Sequence, residues 1–373
     1  MTIPQPPGAL AHESVVEIDL RGSREPWSPA ITQLVPVEPT PVYQTFWRFA
    51  HERQTIYMRR LSGDPAPWTD DPILQVHRFT NAYRASDRVS QYLIRRVIYE
   101  GDQSPDEVLF RTLLFRLFNK IETWELLRSH LGPLLYSDGA VNDVEAILLE
   151  AARSGRTLYS AAYIIPPVPG VDADYKFQGH LALIDRMMTD RLAYRIADAV
   201  RLEDVFTTLR SYPGLGDFLA FQLTIDVNYS EICDFEESEY VVAGPGALSG
   251  ISKCFTDIGD LSEQDLIHLL TDLQEEEFER LGLDFPDLMG RRLQPIDVQN
   301  LFCEVDKYSR VAHPDIVGAS NRTRIKQKYQ RLPRPLPPPW FPPKWGLNED
   351  LPDVFVEEPA DVPFEARLPL GSV

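Results

Sequence analysis

The chain has few cysteines, and their spacing excludes the common cysteine sites. Its 373 residues include three, Cys233, Cys254 and Cys303, which lie far apart and form no Cys-x-x-Cys or Cys/His pattern for zinc. An odd, sparse count is typical of a reducing compartment, where disulfides are rare. We therefore expect an intracellular protein without a bound metal.

Long apolar runs and a signal sequence are also absent. No stretch approaches the roughly 20 apolar residues that a membrane-spanning helix needs. The first residues, MTIPQPPGALAHE, lack the basic start and apolar core of a secretory signal. These absences predict a protein of the cytoplasm, or of the nucleus in a eukaryote, with no membrane partner.

Positive charge is scarce as well. The chain carries 37 lysines and arginines against 56 acidic residues, a net charge of −19. Proteins that grip nucleic acid usually have a basic surface, so any DNA contact must be confined to a local strip. The best strip is 321–334, and we predict DNA-backbone contacts from Arg322, Arg324 and Lys326. The alternative is a charged segment that only balances the acidic body.

Motifs for phosphate transfer and for several hydrolytic reactions are missing too. There is no GxxxxGK[ST] or GxGxxG loop to hold nucleotide phosphates, which argues against a phosphotransferase. HExxH, GxSxG and the zinc-deaminase pattern are also absent. We accordingly predict no cofactor.

Both ends of the chain are rich in proline. Residues 1–41 predict an extended arm with a short strand at 15–20. Residues 333–373 predict a proline-rich tail, which either packs across the body or binds a partner. The tail side chains suited to such packing are Trp340, Phe341 and Trp345.

The body between these ends, residues 42–332, is predicted to be helical, as one domain or as two lobes of about 42–200 and 201–332. Apolar spacing predicts an amphipathic helix at 79–99 and a helix that is apolar nearly all round, and therefore buried, at 108–127. Polar residues of these helices are pocket candidates, with a solvated face or a structural hydrogen bond as the alternative. The candidates are Asn81, Arg84 and Asn119.

Residues 211–255 contain the pattern on which the functional prediction depends. Two glycine turns, Pro213-Gly214-Leu215-Gly216 and Gly244-Pro245-Gly246, each lead into an apolar run. Backbone N–H groups at such turns can point at an anion, and carboxylates between the turns suggest chemistry on a nucleotide. The predicted DNA-backbone contacts are Gly214, Gly216, Gly244, Gly246 and Lys253, and the carboxylates are Asp226, Asp234, Glu236, Glu237 and Glu239.

The first turn, Tyr212-Pro213-Gly214-Leu215-Gly216, resembles the helix-hairpin-helix element of DNA glycosylases. The resemblance implies a mostly α, helix-hairpin-helix DNA glycosylase-like fold. Lyase-type members carry a lysine two residues after the second glycine; Phe218 stands there, so no Schiff-base nucleophile is expected. Ile225-Asp226-Val227-Asn228 resembles the superfamily's Val-Asp-x-His/Asn motif but follows the hairpin too soon.

Four further segments resemble a narrower family, the helical domain linked to hydroxymethyluracil DNA kinases. They are WTDDPILQVHRFTNAYRASDRVSQYLI, FNKIETWE, EYVVAGPGALSGISKCF and CEVDKYSR, and the resemblance covers roughly 43–330. The family is related to glycosylase-like enzymes of thymine hypermodification, and it is similar to an antiphage glycosylase that removes a glucosylated hydroxymethylcytosine. These resemblances imply DNA with modified bases as substrate, and a DNA-base kinase or another hypermodification enzyme as partner.

The resemblances lead to a predicted monofunctional DNA glycosylase that excises a flipped, hypermodified pyrimidine, with an antiphage role. Two other classes stay open: an amine transferase or pyrophosphorylase-like enzyme of thymine hypermodification, and a non-catalytic DNA-binding domain partnered with a kinase. The catalytic acid is expected to be Glu239, then Asp234, then Asp226, although clustered acids are often solvated and Asp226 also suits a buried structural role. Trp124 is the predicted stacking wall, and Lys307 is either a substrate contact or an ion-pair partner of Glu304.

Overall fold

Helices make up most of the chain, as the apolar spacing predicts, and the mostly α class is confirmed. The computed structural model describes residues 29–137, 139–161, 165–330, 336–349 and 351, so the strand predicted at 15–20 lies outside it. Within the described residues, no helix combines the length and apolarity needed to cross a membrane. The α-helices are α1 (Ile31–Leu34), α2 (Pro41–Leu61), α3 (Pro72–Val76), α4 (Arg88–Tyr92), α5 (Pro105–Phe118), α6 (Ile121–Leu131), α7 (Ala140–Arg153), α8 (Lys176–Thr189), α9 (Leu192–Ala197), α10 (Leu202–Arg210), α11 (Asp217–Asn228), α12 (Pro245–Cys254), α13 (Glu263–Asp272), α14 (Gln274–Arg280) and α15 (Pro295–Ala312), and the strands β1 (Glu38–Pro39) and β2 (Phe255–Asp257) pair antiparallel.

The first long helix, α2, begins where the sequence predicts it. Thr40 caps its N-terminus by accepting a hydrogen bond from a first-turn amide, and Pro41 follows with a φ that suits the first turn. The buried side of α2 carries Phe46, whose ring centroid lies 4.6 Å from that of Phe302 on α15. A helix from the N-terminal third of the chain therefore packs directly against one from the C-terminal third.

Helices α12 and α15 cross at very short range, because two glycines of α12 face α15 one turn apart. A β-carbon at Gly250 would lie 2.1 Å from the Phe302 carbonyl oxygen, and one at Gly246 would lie 2.7 Å from Cys303 Sγ. Gly244 precedes the helix, and a β-carbon there would lie 2.6 Å from the Phe218 ring. The structure gives Gly244 and Gly246 a role in close packing, and their contact with a phosphate stays a prediction.

The first glycine turn joins α10 to α11. Gly214 has φ +84°, a left-handed conformation that favours glycine, and it packs against Val168 and Pro169. Gly216 is the N-cap of α11 and faces open space. The turn therefore joins two helices, while the helix-hairpin-helix assignment and DNA contact at Gly214 and Gly216 stay predictions.

Two predicted long helices are interrupted. The segment 79–99 is not one amphipathic helix: it contains a 3-10 turn (Arg84–Ser86), then α4, then a π-helix (Leu93–Ile98). The segment 108–127 is broken at Asn119, whose φ of +49° ends α5 and lets α6 start in a new direction. Each break lies close to an arginine that is held by a residue far along the chain. The Arg84 amide donates to Asp297, and the Arg116 side chain donates to Asp226.

The described part of the proline-rich tail packs across the body. We call residues 336–349 the C-terminal strap; it includes the 3-10 turns Pro343–Trp345 and Leu347–Glu349. The Trp340 amide donates to Gln91 Oε1 at 2.7 Å, and Phe341 is fully buried. The strap thus lies along the segment that contains α4.

The substitution Gly250→Ala tests the close crossing of α12 and α15. The added methyl group would overlap the Phe302 carbonyl, so we expect the free energy of unfolding to fall by about 2–3 kcal/mol, measured by urea denaturation. Gly179→Ala is the matched control, because Gly179 is also a buried helical glycine but its β-carbon would meet Val168 at an ordinary 3.6 Å. Equal urea midpoints for the two variants would contradict the account.

Candidate functional site

Asp226 on α11 is fully buried between two arginines. Its Oδ1 accepts hydrogen bonds from Arg84 Nη2 and Arg116 Nη2, each at 2.7 Å, and Arg116 Nε contacts its Oδ2. Both arginines are buried as well. We call Arg84, Arg116 and Asp226 the ion triad. Breaking a buried ion pair by removing one partner typically costs about 3–5 kcal/mol, so the triad fixes how α11, α5 and the segment before α4 meet.

Arg84 extends the triad to three neighbouring residues. Its Nε donates to Gln222 Oε1 and its Nη1 donates to the Tyr229 hydroxyl, both at 3.1 Å. Its main-chain N–H donates to Asp297 Oδ1 at 2.7 Å. One residue therefore ties the triad to an acid in the first turn of α15.

Asp297 and Glu237 form a second buried group of acids beside the triad. Asp297 also accepts from the Gln294 amide at 3.0 Å, as part of the capping of α15. Burial, together with the negative charge of Glu237, raises the pKa of Asp297 to about 7. Burial also raises the pKa of Glu237, while Arg291 and Arg84 oppose the shift. Interacting acids with raised pKa values are typical of functional sites.

Glu237 has unused hydrogen-bonding capacity. It opens the 3-10 turn Glu237–Glu239 and is only 5% exposed. Its Oε1 lies 3.2 Å from Arg291 Nη2, but within the described residues this oxygen has no hydrogen-bond partner. A buried carboxylate oxygen with an ion-pair neighbour but no hydrogen bond is suited to receive a proton or a donor from a ligand.

A tryptophan of the strap occupies the space beside these acids. The Trp345 ring lies over the Arg291 guanidinium, 3.8 Å from ring centroid to Cζ. The Tyr229 ring meets the same indole edge-on, with centroids 5.5 Å apart. We call the surroundings of Trp345, formed by Tyr229, Arg291 and the adjacent Glu237, the aromatic recess.

A small cavity lies against the triad at Arg116 and Gln222. Its volume is about 10 Å³, which holds about one water molecule and is far too small for a base. The remaining walls are apolar and include the turn before α11. They are Leu117, Ile165, Leu215, Leu219 and Leu223.

The two acids favoured as catalysts lie at the surface. Asp234 is 77% exposed, with its Oδ1 3.3 Å from Lys344 Nζ. Glu239 is exposed as well. The third, Asp226, has both oxygens engaged by the arginines of the triad. Asp234 and Glu239 are corrected because they are not enclosed, and Asp226 is corrected because the arginines engage it. Among the acids between residues 234 and 239, the buried one is Glu237.

Two of the predicted pocket residues join the cluster. Arg84 is a member of the ion triad rather than part of an exposed polar stripe. Asn119 accepts a hydrogen bond from Arg116 Nη1 at 2.7 Å. Arg116 is therefore the structural partner that the buried Asn119 side chain requires.

The other predicted pocket residues have structural partners elsewhere. Trp124 is buried in the core and is not a free stacking wall. Asn81 accepts from Arg53 Nη2 at 2.6 Å. Lys307 pairs with Glu304 at 2.6 Å and is mostly buried, which confirms the ion-pair alternative.

The predicted DNA-backbone residues divide into buried and exposed ones. Lys253 is buried, with Nζ donating to the Asp306 carbonyl at 2.8 Å, so its assignment to DNA is wrong. Arg322, Arg324 and Lys326 are exposed, and their contact with DNA stays a prediction.

Arg84, Asn119 and Asp226 were predicted site residues, but Arg116, Asp297 and Arg291 were not, and Glu237 was named only within a run of carboxylates. Glu237 is part of the carboxylate run, but nothing in its type separates it from its exposed neighbours. Arg116 had a usable signal, because a charged residue inside an otherwise apolar helix must find a buried partner. Asp297 and Arg291 carried no comparable signal.

Comparison with known proteins gives one family and one curated relative. The model of a family described as "5-hmdU DNA kinase, helical domain" matches residues 40–318. A "5-hmdU DNA kinase" of Bacillus phage SP10 is 27% identical over 288 residues, which are 71% of this chain and 45% of the phage protein. The chain therefore spans less than half the length of that relative. No solved structure gives a significant match.

The raised pKa of Asp297 predicts a pH dependence of stability. Its pKa rises from 3.8 to about 7 on folding, so between these values the folded state binds more protons. The stability of the wild type relative to Asp297→Asn should therefore fall as pH rises from 4 to 7, by roughly 2–4 kcal/mol, and stay constant above pH 8.

Urea unfolding at a series of pH values measures this difference. Asp284→Asn, an exposed position, controls for the loss of one negative charge. A wild-type advantage over Asp297→Asn that grows with pH would contradict the prediction.

Proposed function

The chain belongs to the family of 5-hmdU DNA kinase helical domains, and from this premise we propose that it acts on a modified pyrimidine in DNA. The reaction we infer is hydrolytic excision of the base by a monofunctional DNA glycosylase. The name of the phage relative supports a hydroxymethylated uracil as the first substrate to test.

The observation that carries this proposal is the burial and the incomplete hydrogen bonding of Glu237. It is a buried carboxylate with an oxygen that has no hydrogen-bond partner in the described residues, next to the aromatic recess. Its pKa is raised by burial, which brings its basicity closer to the value that is effective near neutral pH. Arg291, 3.2 Å away, keeps the carboxylate oriented and favours its ionised form.

Excision breaks the bond between C1′ of the sugar and the base nitrogen, and the oxygen of water adds to C1′. Glu237 accepts the proton of the attacking water, and its charge stabilises the positive charge that develops on the sugar. The proton is finally delivered to the departing base. A flipped base is needed for this chemistry, since C1′ and the base edge are not accessible together in the stack.

Contact with the DNA backbone is assigned to the exposed basic strip. Arg322, Arg324 and Lys326 lie in a segment held against the body by the Tyr329 amide, which donates to the Val76 carbonyl at 3.0 Å. A local strip on an acidic body gives binding that weakens as salt increases.

A second candidate function is recognition without catalysis. The phage relative is named a kinase, and this chain spans 45% of it. The sequence of this chain contains no phosphate-binding loop. These observations favour a domain that presents modified DNA to a kinase as the alternative.

Excision is tested with duplexes that carry one 5-hydroxymethyluracil, one 5-hydroxymethylcytosine or only thymine at the same position. We expect abasic sites, detected by alkaline strand cleavage, on a modified duplex and none on the thymine control. Glu237→Gln should slow excision by about 10²–10⁴-fold while still binding DNA. Glu239→Gln and Asp234→Asn, both exposed positions, are the matched controls and should stay close to the wild-type rate.

Strand cleavage on no modified duplex would overturn the excision proposal. A mass increase of the base in the presence of an amine donor would then identify transfer. Binding that prefers the modified duplex, with neither product formed, would identify the recognition domain.

A further inference from the structure

The strap reaches the candidate site through two consecutive residues. Lys344 Nζ donates to the main-chain carbonyls of Ser230 and Cys233, at 2.9 and 2.8 Å. Trp345 then enters the aromatic recess, over Arg291 and against the edge of Tyr229. The matched family region ends at residue 318, so this contact is made by a segment beyond it.

The recess has the chemistry of a base-binding site. Proteins hold splayed-out bases by stacking them on aromatic rings and on guanidinium planes, and by hydrogen bonds to the base edge. Arg291 supplies the guanidinium plane, Tyr229 supplies a ring nearly at right angles to the indole of Trp345, and Glu237 supplies a carboxylate acceptor whose Oε1 also lies 3.2 Å from Arg291 Nη2. The indole of Trp345 is a planar, base-sized aromatic in that position.

We propose that the aromatic recess is the seat of the target base, and that Trp345 fills it in the free protein so that the strap must leave before a base can enter. The proposal rests on the proposed function in that the ligand is a DNA base, but it does not depend on excision. The strap is thereby an intramolecular competitor of the substrate.

The anchors of the strap indicate that such a release is local. Apart from Trp345, the strap is held by Lys344, by the bond of the Trp340 amide to Gln91, by the contact of the Trp340 ring with Tyr99 at 5.0 Å, and by the buried Phe341. The Phe341 amide bonds within the strap itself, to Asn348 Oδ1 at 2.9 Å. The hydrogen bonds of Trp340 and Lys344 go to Gln91, Ser230 and Cys233, which are outside the ion triad, so we expect the strap to separate while the triad stays intact.

Binding of a short, labelled single-stranded oligonucleotide with one 5-hydroxymethyluracil, followed by fluorescence anisotropy, tests the proposal without turnover. Trp345→Ala should bind about tenfold more tightly than the wild type, because stacking of one base no longer competes with stacking of the indole. Trp345→Phe keeps an aromatic in the recess and should bind close to the wild type. Lys344→Ala removes an anchor without removing a large side chain, and it should also bind more tightly.

The double variant Trp345→Ala/Arg291→Ala identifies the recess as the source of the gain. Its affinity should return to the wild-type value or below, since the stacking plane is lost. The proposal is overturned if Trp345→Ala and Lys344→Ala both bind as weakly as the wild type, or if the gain persists in the double variant. Thermal melting verifies that each variant is folded, and tighter binding without abasic sites would support the recess while overturning excision.

Discussion

A single carboxylate shared by two buried arginines organises this protein. Asp226 is inaccessible to solvent, and its partners come from α5 and from the turn before α4. In a medium of low polarity these charges can persist only together, so the three segments that supply them must keep one arrangement. The helices alone would not require that arrangement, because apolar packing is much less directional.

The triad also determines where chemistry can occur. Asp226 is held by two arginines and has no free oxygen for a substrate. For this reason we propose the neighbouring acid Glu237, and not Asp226, as the catalytic residue. Arg84 connects the two regions, since its side chain binds Asp226 and its amide binds Asp297. Glu237 and Asp297 consequently lie beside a rigid, charged platform, and Arg291 connects them to the recess that Trp345 fills.

The sequence predicts the features of this fold that depend on neighbouring residues. The starts of α3 and α13 follow from local caps, at Asp71 and Ser262, and the apolar spacing predicts the helices behind them. The break at Asn119 could not be predicted, because Asn119 bonds to Arg116, whose side chain is held by Asp226 far along the chain.

The sequence predicted the segment in which the candidate acid lies, but not which acid of that segment it is. The run of acids between the two glycine turns does contain the buried candidate, but residue type does not distinguish Glu237 from Asp234. The two acids differ in their position in the tertiary structure: Glu237 packs beside Arg291, while Asp234 lies at the surface. The packing role of the glycines in the second turn was missed for a similar reason, since the approach of α15 is visible only in three dimensions.

The most direct test of the central role of Asp226 is the stability of Asp226→Asn, measured by urea unfolding beside an activity or DNA-binding assay of the folded fraction. The account predicts a loss of about 3–5 kcal/mol, because two buried arginines lose their counter-charge. Asp234→Asn, with its exposed side chain, should leave stability nearly unchanged. An Asp226→Asn protein that is as stable as the wild type but inactive would contradict the account, since Asp226 would then be a catalyst and not the structural centre of the fold.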